Sequence, residues 1–225
     1  MSTRIPRNKH TRVKTAKKRS GASTRWLERQ LNDPYVQKAK ADGYRSRAAY
    51  KLLEMEEKLG LIKKGMTVVD LGAAPGGWSQ VAAQKGAKRV IGLDLLEIDP
   101  LEGCEFIQID FTDDSAPDAL LEKLGREKVD LVISDLAPYT IGHKKTDHLK
   151  IMVMVEMAYD FAQQVLKPGG HFIAKIFQGG AQGDFLKLIR AEFETVKHIK
   201  PPASRKESAE QFLVGINFKD GDPDT

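Results

Sequence analysis

The stretch from Thr67 to Trp78, with the sequence TVVDLGAAPGGW, constrains the fold more than any other part of the chain. It starts as a β-branched apolar run, which is typical of a buried parallel strand, and then breaks into a glycine-rich loop. Glycine lets the backbone approach a ligand where a Cβ would collide, and a helical pattern resumes at Trp78. The stretch therefore predicts a strand, a ligand-binding loop and a helix.

The spacing of the glycines in this loop narrows the choice of ligand. It does not match the G-x-G-x-x-G of dinucleotide-binding loops, and no lysine followed by serine or threonine comes after it, as a P-loop requires. Both of those loops bind a phosphate chain. The loop is therefore interpreted as binding a nucleoside that has no phosphate chain.

Composition limits the class of protein. A chain of 225 residues with 41% hydrophobic content is long enough for one globular domain with a sizeable core. No apolar run has the length of a membrane span, and the N-terminus lacks the apolar core of a signal peptide. The single cysteine, Cys104, excludes an intrachain disulfide and indicates a reducing compartment. We expect a cytoplasmic monomer without membrane association.

The net charge of +5 is concentrated at the N-terminus. Nine of the 36 basic residues precede the first acidic residue, Glu28, which leaves 27 basic against 31 acidic residues in the remainder. A segment this polar cannot form a core, so we predict that residues 1–24 are a disordered arm that binds RNA. A solubilising tail and a targeting peptide are the alternatives. Residues 25–219 are predicted to form the folded domain, followed by a disordered tail over residues 220–225.

From Gly65 the chain alternates strand and helix patterns, as in an open parallel sheet with helices on both faces. Strands are predicted at 67–71, 89–93, 105–109, 129–134, 170–177, 195–199 and 211–218. Helices are predicted at 78–85, 116–124, 147–166 and 184–193. Two shorter helices are predicted before the sheet, one from Pro34 to Gly43 and one capped by Ser46 that ends at Leu59.

Acidic residues follow three successive predicted strands: Asp94, Asp110 and Asp135. In such sheets the ligand binds outside the carboxyl ends of the strands. Asp94 is placed to accept hydrogen bonds from ribose hydroxyls, Asp110 to reach a base, and Asp135 to reach the amino group of a ligand tail. The structural alternative is that these side chains cap helices or lie solvated in loops.

Lys175 lies in the apolar run FIAKIF, which otherwise predicts a fully buried strand. Lysine is almost never buried without a partner or a chemical role. Close to a cleft, desolvation favours a neutral amine, which can accept a proton from a hydroxyl nucleophile. The alternatives are a side chain that snorkels from the strand end and a structural ion pair.

Four motifs together resemble those of a known family: DLGAAPGGWS at 70–79, GLDLL at 92–96, SDLAP at 134–138 and AKIFQG at 174–179. From Arg25 to Phe218 the chain resembles the FtsJ/RlmE family of ribosomal-RNA 2′-O-methyltransferases. The resemblance implies an α/β, Rossmann-like methyltransferase fold. Its seven-stranded sheet is mostly parallel, with the last strand antiparallel and helices on both faces.

The resemblance also implies the site and its substrates. The cofactor is S-adenosylmethionine, held by Gly76, Trp78, Asp94, Asp110 and Asp135. The Lys-Asp-Lys-Glu tetrad of the family falls on Lys51, Asp135, Lys175 and Glu210. The implied acceptor is a uridine ribose in large-subunit ribosomal RNA, presented as free RNA or in the assembled large subunit during ribosome maturation. No metal is implied.

Each member of the tetrad then has a role. Lys175 is the proton acceptor, and Asp135 orients its amine. Lys51 supplies a neighbouring positive charge, and its position on a helix with a polar side keeps it charged. Glu210 positions either the substrate hydroxyl or Lys51.

Two other functions fit part of the sequence. The segment from Asp135 to Tyr139 is similar to the Asp-Pro-Pro-Tyr motif of exocyclic-amine methyltransferases, but those enzymes need no lysine base, so Lys175 disfavours this reading. The basic arm fits a non-catalytic RNA-binding ribosome-assembly factor, which the complete tetrad disfavours. The nearest group to a metal cluster, His143 with Asp147 and His148, is interpreted as a solvated rim.

Overall fold

The computed structural model describes residues 11–12, 15, 20–125, 127–138, 144–179 and 183–219. The first helices are α1 (Gly21–Leu31), α2 (Pro34–Asp42) and α3 (Ala49–Leu59). The chain continues as β1 (Thr67–Leu71), α4 (Gly77–Gln84), β2 (Arg89–Asp94), β3 (Cys104–Gln108), α5 (Ala116–Leu124), β4 (Val129–Ser134), α6 (Lys144–Val165), β5 (Leu166–Phe177), α7 (Gly183–Glu192), β6 (Phe193–Ile199) and β7 (Glu210–Phe218). Every predicted strand and helix is present, with small shifts at the ends.

The seven strands form one sheet in the order β3-β2-β1-β4-β5-β7-β6. The neighbours from β3 to β5 pair in parallel. Strand β7 lies between β5 and β6 and runs antiparallel to both. The strand order reverses between β1 and β4, which is where open α/β sheets bind their ligands. The predicted fold class is confirmed.

Both faces of the sheet are covered by helices, which explains the continuous apolar strands. Along β1, Val68 packs into a cluster with residues of α3 and α4, whereas Val69 packs into a second cluster with residues of α5, α6 and α7. Successive side chains of a strand point to opposite faces, so a strand covered on both faces is apolar at most positions. All five residues of β1, including Asp70, are buried.

Three local predictions need correction. Helix α1 was not predicted, and it begins at Gly21 with the Ser20 hydroxyl accepting a hydrogen bond from the backbone N–H of Ser23. Residues 21–24, which were predicted to belong to the arm, therefore lie in α1. Ser46 does not cap α3, because its hydroxyl lies against Gly77 at the start of α4. Strand β5 begins at Leu166 instead of residue 170, because the pairing with β4 continues across a register shift.

Other parts of the predicted arm and tail are not covered by the structure. Residues 1–10, 13–14, 16–19 and 220–225 lie outside the described residues. Thr11 is described: its backbone N–H and carbonyl bond the Asn32 side chain at 2.7 and 2.9 Å. That the arm binds RNA stays a prediction.

Candidate active site

A cavity of about 800 Å³ lies at the carboxyl ends of the parallel strands, next to the reversal of strand order. Its walls come from the loop after β1, the ends of β2 and β3, the segment after β4 and one side of α6. They include Gly72, Ala74, Leu93, Asp94, Leu96, Asp110, Phe111, Asp135, Leu136, Leu149 and Val153. The three acidic residues predicted to share a ligand therefore line one cavity.

Gly72 determines how close the cavity walls come to each other. Its φ is +76°, a left-handed conformation that favours glycine. A Cβ at this position would lie 3.0 Å from both the Cα and the N of Leu136, in the segment after β4. The backbone N–H of Gly72 also donates to the Leu93 carbonyl of β2 at 2.9 Å. A larger residue here would push apart the segments that form the cavity.

Backbone groups hold Asp94 and Asp110 in place at the cavity. Asp94 accepts a hydrogen bond from the N–H of Ala74 at one carboxylate oxygen and from the N–H of Leu96 at the other, both at 2.9 Å. One oxygen of Asp110 accepts from the N–H and the hydroxyl of Thr112. A carboxylate has about four acceptor positions, so both residues retain capacity for a ligand. The wall favours a ligand that donates hydrogen bonds or carries positive charge.

The structure does not bring Gly76 or the Trp78 side chain to the cavity lining. Trp78 is only 3% exposed, its indole N–H donates to the Ala48 carbonyl at 2.8 Å, and its ring packs on Phe212. The Trp78 side chain therefore packs in the core, and that Gly76 and Trp78 contact the cofactor stays a prediction. Gly76 lies against Arg45 with φ +98°. The backbone N–H groups that follow it occupy the first turn of α4, where helical N–H groups have no intrahelical acceptor.

The four tetrad residues come together beside the cavity from four different segments. The amine of Lys51 on α3 lies 2.8 Å from Oε2 of Glu210 and 3.4 Å from Oδ2 of Asp135. The amine of Lys175 on β5 lies 3.0 Å from Oδ1 of Asp135. Asp135 thus bridges two lysines, and none of the four side chains is more than 18% exposed.

The charges within this cluster stabilise one another. Burial lowers the pKa of Lys51, but the charges of Asp135 and Glu210 outweigh it and the pKa is raised overall. Burial raises the pKa of Asp135, but Lys175 and Lys51 outweigh it, so that pKa is lowered. Lys51 is therefore a cation and Asp135 an anion at neutral pH. The sequence-based expectation was that the polar side of the helix keeps Lys51 charged. In the structure, the carboxylates of Asp135 and Glu210 do so.

Lys175 has a different set of contacts from Lys51. Besides its ion pair with the Asp135 carboxylate, its amine donates to the Asp135 carbonyl oxygen at 2.6 Å. Oδ1 of Asp135 accepts no hydrogen bond among the described residues, so the attraction between opposite charges holds it to the amine. The amine of Lys175 is thereby fixed at the carboxyl end of β5, beside the cavity.

Two polar residues near the site were missed by sequence reasoning. Asp70 on β1 is 1% exposed and accepts a hydrogen bond from the Ser79 hydroxyl at 2.7 Å. Burial raises its pKa to about 7, although the Ser79 bond lowers it, and the charge of Asp135 raises it further. An acid inside the apolar run TVVDL was the available signal. The guanidinium of Arg45 donates to the carbonyls of Asp99 and Pro100 at 2.7 and 2.6 Å, and no sequence signal indicated this.

The described residues provide neither a metal-binding cluster nor a helix that could span a membrane. Within the described ranges, no three His, Cys, Asp or Glu residues are grouped so that they could hold a metal ion. Asp147 is 6% exposed, which corrects its interpretation as part of a solvated rim. His143 and Tyr139 lie outside the described residues. No helix in the described part of the chain has the length and apolar character needed to span a bilayer.

Comparisons with known proteins agree with this geometry. Residues 44–218 match the model of the FtsJ-like methyltransferase family. The chain is 57% identical over 208 residues to "Ribosomal RNA large subunit methyltransferase E" of Maricaulis maris, an alignment that covers 92% of this chain and 74% of that protein. It is 55% identical over 223 residues to the protein of the same name from Novosphingobium aromaticivorans, covering 99% of this chain and 100% of that one.

A solved structure supports the same assignment. A structure named as a ribosomal RNA methyltransferase of Plasmodium falciparum superposes with a TM-score of 0.69 at 34% identity and covers 78% of this chain and 98% of that chain. The family model spans α3, the cavity and all four tetrad residues. Because the match includes the parts that build the site as well as the sheet, the chain belongs to the FtsJ-like methyltransferase family.

Proposed function

We propose that this protein transfers a methyl group from S-adenosylmethionine to the ribose 2′-hydroxyl of a uridine in large-subunit ribosomal RNA. The observation that carries the proposal is the Lys51–Asp135–Lys175–Glu210 cluster beside a cavity lined by carboxylates. The names of the two bacterial relatives support large-subunit ribosomal RNA as the substrate. Such an activity belongs to ribosome maturation in the cytoplasm.

The cavity suits S-adenosylmethionine in charge and in shape. Asp94 and Asp110 would accept hydrogen bonds from the ribose hydroxyls and the base, and Asp135 would pair with the amino group. Gly72 lines the cavity and has no side chain, so a ligand can approach its backbone. The backbone N–H groups at the start of α4, in the Gly76–Trp78 stretch, would bind the carboxylate of the cofactor. When bound, the cofactor supplies a methyl group activated by a positively charged sulfur.

The residues of this chain then have to align the hydroxyl and manage its proton. Lys175 accepts the proton, and Asp135 holds the amine through both its carboxylate and its carbonyl. Lys51 stays charged, and its charge disfavours a second ammonium at Lys175. The Glu210 carboxylate holds the Lys51 amine at 2.8 Å. A positioned general base contributes roughly 10²–10⁴ in rate, and alignment of the reacting groups supplies much of the rest.

The RNA substrate fits the charge distribution of the chain. The N-terminal arm carries eight Lys or Arg residues up to Arg19, and we infer that they engage phosphates without reading sequence. An RNA loop held open in a ribosomal particle would present a splayed nucleotide, which spares the enzyme the cost of unstacking it. Large subunits are therefore expected to be better substrates than short oligonucleotides.

Methyl transfer from labelled S-adenosylmethionine to ribosomes from a strain that lacks this gene tests the proposal. We expect label in large-subunit RNA, and nuclease digestion should release it as 2′-O-methyluridine. Label on an exocyclic amine would instead assign base methylation. Tight RNA binding without any transfer would assign the role of an assembly factor.

A further inference from the structure

The carboxylate of Glu210 is held at both of its oxygens. Oε2 accepts from the amine of Lys51 at 2.8 Å, and Oε1 accepts from the Ser204 hydroxyl at 2.7 Å. Ser204 lies in the loop between β6 and β7 and is 4% exposed, so water does not compete freely for this bond. A carboxylate bound at one oxygen cannot rotate freely. The Ser204 bond therefore directs the other oxygen of Glu210 toward Lys51.

The backbone on the N-terminal side of Ser204 is fixed in turn. The N–H of Ala203 donates to Oε2 of Glu54 at 2.6 Å, and the carbonyl of Ala203 accepts from the guanidinium of Arg47 at 2.5 Å. The N–H of Ser204 donates to the carbonyl of Pro201 at 2.9 Å. Both polar groups of Ala203 are thus bonded to side chains, one from the turn just before α3 and one from the middle of α3. This leaves the Ser204 hydroxyl little freedom of position.

Lys51 and Glu54 are three residues apart on α3, a spacing that places side chains on one side of a helix, and Arg47 lies in the turn just before this helix. Arg47 is also paired with Asp33 at 2.5 Å, and Glu54 accepts a hydrogen bond from the Tyr35 hydroxyl at 2.9 Å. The same side of α3 therefore carries the tetrad lysine and holds the turn that orients its carboxylate partner. These contacts link Lys51 to Glu210 both directly and through the Ala203–Ser204 turn.

We propose that Ser204 is a positioning residue for methyl transfer, acting through Glu210 on Lys51. The proposal rests on the function proposed above for the tetrad. Without the hydroxyl, the Glu210 carboxylate rotates and Lys51 is no longer held beside Asp135. Ser204 touches no reacting atom, so its loss should lower kcat and leave cofactor binding in place.

A double-mutant cycle tests this inference. Ser204→Ala should lower kcat roughly tenfold, the size of effect seen when hydrogen-bond partners behind a site are removed, with the cofactor Kd unchanged. Combining Ser204→Ala with Glu210→Ala should cost no more than Glu210→Ala alone, since the serine acts through that carboxylate. Ser204→Cys keeps the volume but donates weakly, so it should behave like the alanine variant if the hydrogen bond matters.

Thr67→Val is the matched control. Thr67 is only 1% exposed, and its hydroxyl also donates to a carboxylate, that of Glu127, at 2.7 Å. Thr67 begins β1, so this pair lies at the amino-terminal ends of the parallel strands, away from the cavity. This variant should lose stability and keep kcat. Parental kcat in Ser204→Ala, losses that multiply in the double variant, or rescue by Ser204→Cys would each overturn the inference. If Glu210→Ala itself kept parental kcat, the proposed role of the tetrad would fail, and this inference with it.

Discussion

A lysine–aspartate pair lies at each end of the contact between β4 and β5. At the amino-terminal edge, Lys167 and Asp130 lie 2.9 Å apart with side chains 41% and 23% exposed. At the cavity edge, Lys175 and Asp135 lie 3.0 Å apart with side chains 7% and 18% exposed. The two pairs have the same chemistry and nearly the same length, so distance does not distinguish them.

Burial and the number of partners do distinguish the two pairs. Water screens the Lys167–Asp130 pair, and exposed ion pairs contribute about 0–1 kcal/mol to stability. Asp135 bridges two lysines in a poorly hydrated site, so removing one partner leaves another charge uncompensated. Asp130 instead accepts from the N–H of Thr67 and helps to hold the start of β1. Of these two pairs, only Lys175–Asp135 is both little exposed and shared with a second lysine.

Replacing Lys175 by Arg is expected to have the largest effect. The guanidinium keeps the positive charge but cannot accept a proton, so kcat should fall by roughly 10²–10⁴ while the cofactor Kd is retained. Lys167→Arg, at the other end of the same strand, is the matched control and should keep parental kcat. Single-turnover methyl transfer measures both. Near-parental kcat in Lys175→Arg would refute the general-base role.

Asp70 sharpens the comparison, because it is 1% exposed and pairs with no lysine among the described residues, whereas the Asp135 side chain is 18% exposed and pairs with two. Its pKa is raised to about 7, whereas the unfolded chain titrates near 4. Between those values the folded protein holds a proton that the unfolded chain releases, so stability falls as pH rises and levels off above about pH 7. Relative to Asp70→Asn, urea unfolding should show this fall, with a ceiling of about 4 kcal/mol. A difference that is independent of pH would contradict the burial argument.

Asp94 and Asp130 both accept hydrogen bonds from backbone N–H groups, but only Asp94 lines the cavity, so Asp94→Ala and Asp130→Ala form a matched pair. Asp94 at the cavity holds Ala74 and retains acceptor positions toward the ligand, whereas Asp130 at the opposite edge holds Thr67. Loss of Asp94 should weaken S-adenosylmethionine binding by about 1–3 kcal/mol, or roughly 5- to 150-fold. Asp130→Ala should leave the cofactor Kd unchanged. Isothermal calorimetry on both variants checks this, and equal Kd values would remove Asp94 from the cofactor site.

The smallest expected effect is that of Lys167→Met. The ion pair is half-exposed, so its loss should change the free energy of unfolding by less than about 1 kcal/mol and leave methyl transfer intact. Unfolding in urea at low and high salt checks this, and salt should weaken the difference between variant and parent. A loss of several kcal/mol would show that the exposed pair is as strongly coupled as the buried one.

Much of the fold and of the cavity was predictable because the relevant signals are local. A strand covered on both faces is apolar at most positions, so β1, β2 and β4 stand out in the sequence. The ends of parallel strands meet at one edge, so Asp94, Asp110 and Asp135 were expected to converge, and they line one cavity. The tetrad came from motifs matched to a family, and its four side chains do meet.

The remaining features depend on contacts between residues far apart in the chain, and these were decided by the tertiary structure. Lys51 meets Glu210 across 159 positions, and Arg47 meets Ala203 across 156. The motif that contains Trp78 gives no indication that its side chain packs in the core. Local pattern determines which faces are buried and where strands end. Which polar groups share a hydrogen bond, and hence what keeps Lys51 charged, follows only from how the helices and loops pack on the sheet.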